Sequence, residues 1–312
     1  MTDIYVSIWS GAFWVRGTLT VAGRSPAPGA LLISGSGPVD RDSNSKRLPI
    51  NVMGQIATQL AAAGVASLRY DKRGVGKSDG DYFATGLHDN VVDARAALEA
   101  LATRPEVDPR RIVVIGHSEG ALIASSLADD ERLAGVALLA GAAHNGHDVL
   151  TWQARQVAPT LPKPVQWLMK LLRQDLVRTQ SKRLDRIAVS TDDVIRIQFV
   201  KLNAKWFREF MVFEPIQALR HAAGPVLAIT GGKDIQVDPA DVAIMEEVVP
   251  TSFTGHVVED VTHLLRPEPG PPSVRTYKKQ ARRPLDQRVI ALLTDWVADR
   301  TRTADGAGYG QV

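Results

Sequence analysis

Over most of the chain, short apolar runs alternate with longer stretches in which apolar positions recur every three or four residues. Residues 4–9 and 14–21 alternate apolar and polar side chains and predict an antiparallel pair of strands. A buried strand is expected at 30–34, then a helix over 47–63 stopped by Gly64. Strand 66–70, helix 87–102, strand 111–116, helix 119–128 and strand 133–140 continue the series. From 145 to 223 the rhythm breaks into a helical pattern punctuated by Pro159, Pro162 and Pro164. It resumes with strand 225–230, helix 239–248, strand 252–259 and helix 284–299.

Strands that alternate with helices imply a mostly parallel, doubly wound α/β sheet, here of about eight strands, with both faces covered. The core is expected to comprise 1–144 and 224–300. The block 145–223 is expected as a helical cap or lid inserted after the sixth strand. Residues 301–312, ending G-A-G-Y-G-Q-V, are expected as a disordered tail. In such sheets ligands bind at the carboxyl ends of the strands, so the insertion would sit over that edge.

Composition narrows the chemistry. The 312 residues contain no cysteine, which excludes disulfides, a thiolate nucleophile and thiolate metal ligands. A net charge of +3 is too small to suggest a nucleic-acid partner. No signal peptide is visible at M-T-D-I-Y-V-S-I-W-S, and no apolar run is long enough to span a bilayer, so a cytoplasmic location is expected without stable membrane insertion.

The chemistry gathers around V-V-I-G-H-S-E-G-A-L, residues 113–122. Ser118 ends a β-branched run and opens a helix. A turn this tight leaves no room beside the serine, hence Gly116 and Gly120, and it lifts the hydroxyl clear of the sheet. A serine nucleophile needs a base, and the base an orienting acid, in the chain order Ser, acid, His. His221 sits on a helix entering a strand and His256 inside a strand. His263, in D-V-T-H-L-L just past a strand's carboxyl end, is the candidate base. The sixth strand ends without a carboxylate. The next is followed by G-G-K-D, making Asp234 the candidate acid. Asp238 is a rival that reads as a helix cap, and Asp260 a rival that reads as a loop residue. The oxyanion would be met by the main-chain N–H groups of Glu119 and of Ser36, in the glycine-containing loop S-G-S-G-P.

Four segments together resemble the α/β-hydrolase superfamily: S-G-S-G-P-V-D-R-D (34–42), Y-D-K-R-G-V-G-K-S (70–78), G-H-S-E-G (116–120), and G-G-K-D-I-Q-V with V-T-H (231–237 and 261–263). The first two are similar to bacterial serine esterases related to dienelactone hydrolases and prolyl oligopeptidases. The resemblance implies Ser118 as nucleophile, His263 as general base and acid, Asp234 as its partner, and oxyanion donors at Ser36 and Glu119. It implies a small-molecule ester as substrate and neither cofactor nor metal. Amide or peptide hydrolysis and acyl transfer are alternatives with the same triad. A non-catalytic binding protein is the alternative of another class.

Other patterns carry less. G-V-G-K-S (74–78) lacks the upstream glycine of a phosphate-binding loop, because position 71 is Asp71. Arg73 reads as a structural tether. His144, His147 and Asp148 have a spacing that could serve a metal but read as a solvated cap entrance. The cap holds thirteen Lys/Arg and seven Asp/Glu, 13 − 7 = +6, against +3 for the whole chain. The plain reading is an amphipathic cap with a solvated basic face; the sharper one adds peripheral contact with anionic surfaces.

Overall fold

A computed structural model describes residues 1–302 apart from 22, 24, 173, 174 and 198; residues 303–312, most of the expected tail, lie outside the described residues. Strands β1 (Thr2–Ser10) and β2 (Phe13–Val21) form a hairpin that turns at Gly11, where φ is +62°. The remaining strands of the main sheet are β3 (Ala27–Ile33), β4 (Ala66–Tyr70), β5 (Val107–His117), β6 (Leu133–Leu139), β9 (Val226–Gly231) and β10 (Phe253–Val258). Their spatial order is β1-β2-β4-β3-β5-β6-β9-β10, and every pairing from β4 to β10 is parallel.

Helices α1 (Val52–Ala62), α2 (Leu87–Ala102) and α3 (Glu119–Ser125) link the early strands, while α9 (Asp241–Val248), α10 (Tyr277–Gln280) and α11 (Gln287–Arg300) follow the later ones. Both sheet faces are covered, which explains why the strands read as unbroken apolar runs. Successive residues of one strand serve opposite cores. Leu31, Ile33 and Val114 join the core under α2 and α3, while Leu32, Val113 and Ile115 join the core under α1 and α11.

The chain passes from β3 to β4 on one side and then returns to add β5 on the other. The carboxyl ends of β3 and β5 therefore diverge into a crevice, where open α/β sheets bind ligands. Ser34–Ser36 and Ser118 stand at its two lips.

The insertion after β6 contains α4 (Gly146–Val157), α5 (Lys163–Leu171), α6 (Leu176–Ala188) and α7 (Ala204–Val212). It also holds an antiparallel hairpin, β7 (Val194–Ile197) with β8 (Val200–Asn203), where a purely helical pattern was expected. The sequence there, V-I-R-I and V-K-L-N, is β-branched and alternating, but each run is only four residues long. Leu184, Ile187, Leu202, Ala204 and Met211 give the insertion a small core of its own. Helix α8 (Pro215–Leu219) packs on α3 and α9, with Leu219 in the main core.

Asn203 and α7 fasten the insertion to α2 and the loop before it. The Asn203 amide donates to the carbonyls of Tyr82 and Thr85, both at 2.7 Å. Lys205 pairs with Asp89 at 2.7 Å, and Glu209 accepts from the His88 N–H at 2.8 Å, placing a carboxylate at the N-terminus of α2.

Several boundaries shift from the sequence pattern, and two of the shifts have a visible cause. Helix α1 starts at Val52 rather than near 47, because Pro49 disfavours helical geometry at Leu48 and pairs in an isolated bridge with Asn44. Thr301, expected in the tail, is buried and bonds back to Val297.

Candidate active site

Ser118 has φ +57° and ψ −120°, a conformation that side chains rarely tolerate. The neighbouring glycines make it possible. A Cβ on Gly116 would stand 2.0 Å from the Gly120 carbonyl oxygen, and one on Gly120 would stand 2.0 Å from the Ile33 carbonyl oxygen. A Cβ on Gly35 would meet the Ser118 Cβ at 3.2 Å. The turn is thus clamped between β3, β5 and α3 with no space for side chains.

The structure brings Ser118, His263 and Asp234 together from three places in the sequence. His263 Nε2 lies 3.0 Å from Ser118 Oγ, and His263 Nδ1 lies 2.8 Å from Asp234 Oδ2. The other Asp234 oxygen accepts from the Gln236 and Val237 N–H groups at 2.7 and 3.0 Å. His263 and Asp234 are both 4% exposed, so solvent does not dilute their pairing. Because a carboxylate can only accept, Nδ1 carries the ring proton and Nε2 is left as an acceptor facing the serine.

The rival residues lie elsewhere. Asp238 Oδ1 accepts from the Ala240 N–H at 3.0 Å, ahead of α9. Asp260 is exposed and pairs with Lys233 at 2.6 Å. His221 is exposed beyond α8, and His256 sits within β10. His144 Nδ1 turns to the buried Asp241 at 2.8 Å, whereas His147 stands beside Asp148 at 3.3 Å, so the three residues of H-x-x-H-D do not converge. Arg73 bonds to Asp93 on α2 at 2.8 Å and covers the Phe13 ring.

Ser36 and Glu119 flank Ser118. Among the described residues, neither main-chain N–H donates to a protein acceptor. Both residues line a narrow chamber of about 70 Å³ whose walls include Leu122, Leu150, Trp206 and Phe210. The Trp206 and Phe210 rings are stacked, with centroids 4.7 Å apart. On the other side of Ser118 a wider cleft of about 410 Å³ runs past Pro38, Leu48, Ile50, Val274 and Tyr277. The serine stands at the junction of the two.

Three residues of the site lie in the quoted segments but have no role assigned to them by the sequence. Gln236 touches both chambers and links Gln153 of α4 to Tyr277 of α10, at 3.1 Å in each case. Lys72 reaches Glu119 and the Gly35 carbonyl. His117, beside Ser118, holds the main-chain carbonyl of His263 at 2.9 Å. These are contacts between residues far apart in the chain, which no local pattern announces.

The profile of a family described as serine aminopeptidase, S33, matches residues 50–270. Over 289 residues the chain is 26% identical to the esterase EstD of Thermotoga maritima, a match that takes in 90% of this chain and 65% of that protein. The chain thus spans about two thirds of the length of that relative. Among solved structures, Est1E from Butyrivibrio proteoclasticus with ferulic acid bound has a TM-score of 0.61 at 17% identity, covering 94% of this chain and 96% of that one. A proline iminopeptidase from Mycobacterium smegmatis has a TM-score of 0.62 at 15% identity, covering 96% and 99%. At such identities the likeness is one of fold, and with the strand order it bears out the expected α/β-hydrolase architecture.

Proposed function

The chain belongs to the serine aminopeptidase S33 family, and on that footing we propose that it is a serine hydrolase of carboxylic esters. Ser118 is the nucleophile, His263 the general base and then the general acid, and Asp234 the group that orients and balances the imidazole. The Ser36 and Glu119 N–H groups receive the oxyanion, and the insertion from α4 to α7 caps the site. The observation that carries the reading is the unbroken hydrogen-bonded path from Ser118 through His263 to Asp234.

His263 Nε2 takes the Ser118 proton as Oγ attacks the ester carbonyl. The negative charge that develops on the carbonyl oxygen meets the two fixed N–H dipoles, commonly the largest electrostatic contribution to such catalysis. The tetrahedral adduct collapses, the alcohol leaves with the proton from His263, and the acyl group stays on Ser118. Water then gives up a proton to the same imidazole and attacks the acyl-enzyme; the second adduct collapses with cleavage of the acyl–Oγ bond, His263 returns the proton to Ser118 Oγ, and the acid leaves.

The chamber sizes support a short acyl group under Trp206 and Phe210 and a larger alcohol portion in the open cleft. Ester rather than N-terminal peptide cleavage is favoured by charge. An α-ammonium group needs a free carboxylate, and the one carboxylate named among the described residues lining these chambers, Glu119, is already held by Lys72 and Asn90. The 26% identity with EstD points the same way.

Hydrolysis of p-nitrophenyl acetate and butyrate, set beside an aminoacyl p-nitroanilide, tests the reading. The esters are expected to turn over and the anilide hardly at all. Ser118→Ala should abolish both ester hydrolysis and labelling by a fluorophosphonate. Activity that survives this substitution would overturn the mechanism.

A further inference from the structure

Behind the nucleophile lies a charged group that the reaction itself does not use. Lys72, in the loop after β4, and the Glu119 side chain, at the start of α3, are 5% and 3% exposed. Lys72 Nζ donates to Glu119 Oε2 at 3.0 Å and to the Gly35 carbonyl at 2.7 Å. Glu119 Oε1 accepts from the Asn90 amide of α2 at 3.0 Å, so both of its oxygens are engaged. Taking two charges out of water costs several kcal/mol each, and an apolar pair of similar volume commonly serves stability as well or better. What distinguishes this pair is therefore what it joins.

The Gly35 carbonyl and the Ser36 N–H belong to one planar peptide unit and point in opposite directions. An ammonium group anchored on the carbonyl fixes that plane, which leaves the Ser36 N–H aimed away from Lys72. A hydrogen bond at the carbonyl also polarises the peptide and strengthens its N–H as a donor. The second bond of the same ammonium group goes to Glu119, whose own main-chain N–H is the other oxyanion donor. One side chain thus ties together the two backbone segments that supply the oxyanion hole.

We propose that Lys72 and the Glu119 carboxylate are positioning residues of the oxyanion hole, with Lys72 locking the Gly35–Ser36 peptide plane against the start of α3. The proposal rests on the esterase reading above. Asn90 completes the device by holding the second Glu119 oxygen from α2, which keeps the carboxylate from following Lys72.

Lys72→Met, Glu119→Gln and the double variant test it, through kcat and KM for p-nitrophenyl acetate, Tm, and the rate and end point of fluorophosphonate labelling. A misplaced donor is expected to lower kcat by about 10- to 100-fold in both variants that lack Lys72, with KM within about threefold. Labelling should slow but reach the same end point. Glu119→Gln keeps the Lys72–Gly35 bond and should lose less. Lys72→Met strands a buried carboxylate and should lower Tm. The double variant strands no charge, so its Tm should recover while its kcat stays low. Where Lys72→Met fails to fold, the double variant carries the test. A double variant with wild-type kcat, or with kcat and Tm recovering together, overturns the proposal and leaves a structural ion pair. Wild type inert toward the ester, with Ser118 unlabelled, instead defeats the esterase reading.

Discussion

His117 Nε2 donates to the main-chain carbonyl of His263 at 2.9 Å, while His117 Nδ1 is buried without a partner among the described residues. The residue next to Ser118 therefore holds the backbone of the histidine that faces it. Burial, then the positive charges that His263 and Arg266 can carry, hold the His117 imidazole down to about 3. In the unfolded chain the same ring takes up a proton near pH 6.5. Between those values the unfolded state binds more protons, so folding stability falls as pH falls, by up to ~1.4 kcal/mol per pH unit. His117→Gln keeps an N–H donor and removes the titration. Urea unfolding at pH 7 and pH 5 should show wild type losing ~2 kcal/mol more than the variant over that interval. Equal losses would rule out His117 as a source of acid sensitivity.

Asp234 and Asp238 lie four positions apart but differ in what they hold. Asp234 bonds to His263, whereas Asp238 bonds to the Ala240 N–H. Asp234→Asn presents an amide that can donate to Nδ1 and so favours the wrong imidazole tautomer. It should lower kcat by about 10³- to 10⁴-fold with little change in Tm. Asp238→Asn should keep kcat within about threefold, because asparagine caps nearly as well. Steady-state kinetics on the two variants decides which carboxylate serves His263, and a larger loss at Asp238 would reverse the assignment.

Why the convergence of Ser118, Asp234 and His263 is legible in the chain while the contacts of Lys72 and Gln236 are not has a physical basis. A parallel sheet buried on both faces writes its strands as apolar runs, and the crevice residues follow at fixed places after those runs. Gly116 and Gly120 mark the turn because no other residue fits there. Lys72 instead acquires its role from Glu119, 47 residues away, and from a carbonyl that carries no side-chain signature. The β7–β8 hairpin stayed hidden because four-residue strands between helices give too short an alternation to outweigh a helical background. The start of α1 differs from the pattern because apolar positions continue back through Leu48 and Ile50, while Pro49 disfavours helical geometry at Leu48.

Gly120 tests the clamp around Ser118. Its missing Cβ would fall 2.0 Å from the Ile33 carbonyl oxygen, a backbone atom that cannot swing aside. Gly120→Ala should destabilise the fold by about 1–3 kcal/mol, as overpacking does, and move Ser118 away from His263. Gly232→Ala, where the nearest atom would be 3.4 Å away, is the matched control and should fold normally. Denaturation and ester hydrolysis measured side by side should separate the two variants. Matching behaviour would mean that the turn is less tightly held than the contact implies.

Trp206 tests the division of the site into a narrow and a wide chamber. Its ring stacks on Phe210 and helps wall the chamber of about 70 Å³ beside Ser118. With the acyl group bound there, wild type should prefer acetate and butyrate esters and discriminate against octanoate. Trp206→Ala removes the outer ring of the stack and makes room for further methylenes. Each newly buried methylene contributes ~0.8 kcal/mol, about fourfold in binding. The octanoate-to-acetate ratio of kcat/KM should therefore rise by about tenfold or more. A series of p-nitrophenyl esters from two to eight carbons measures this directly. An unchanged ratio, with activity retained, would assign the acyl chain to the open cleft along Leu48, Ile50 and Val274 and the alcohol to the space beneath Trp206.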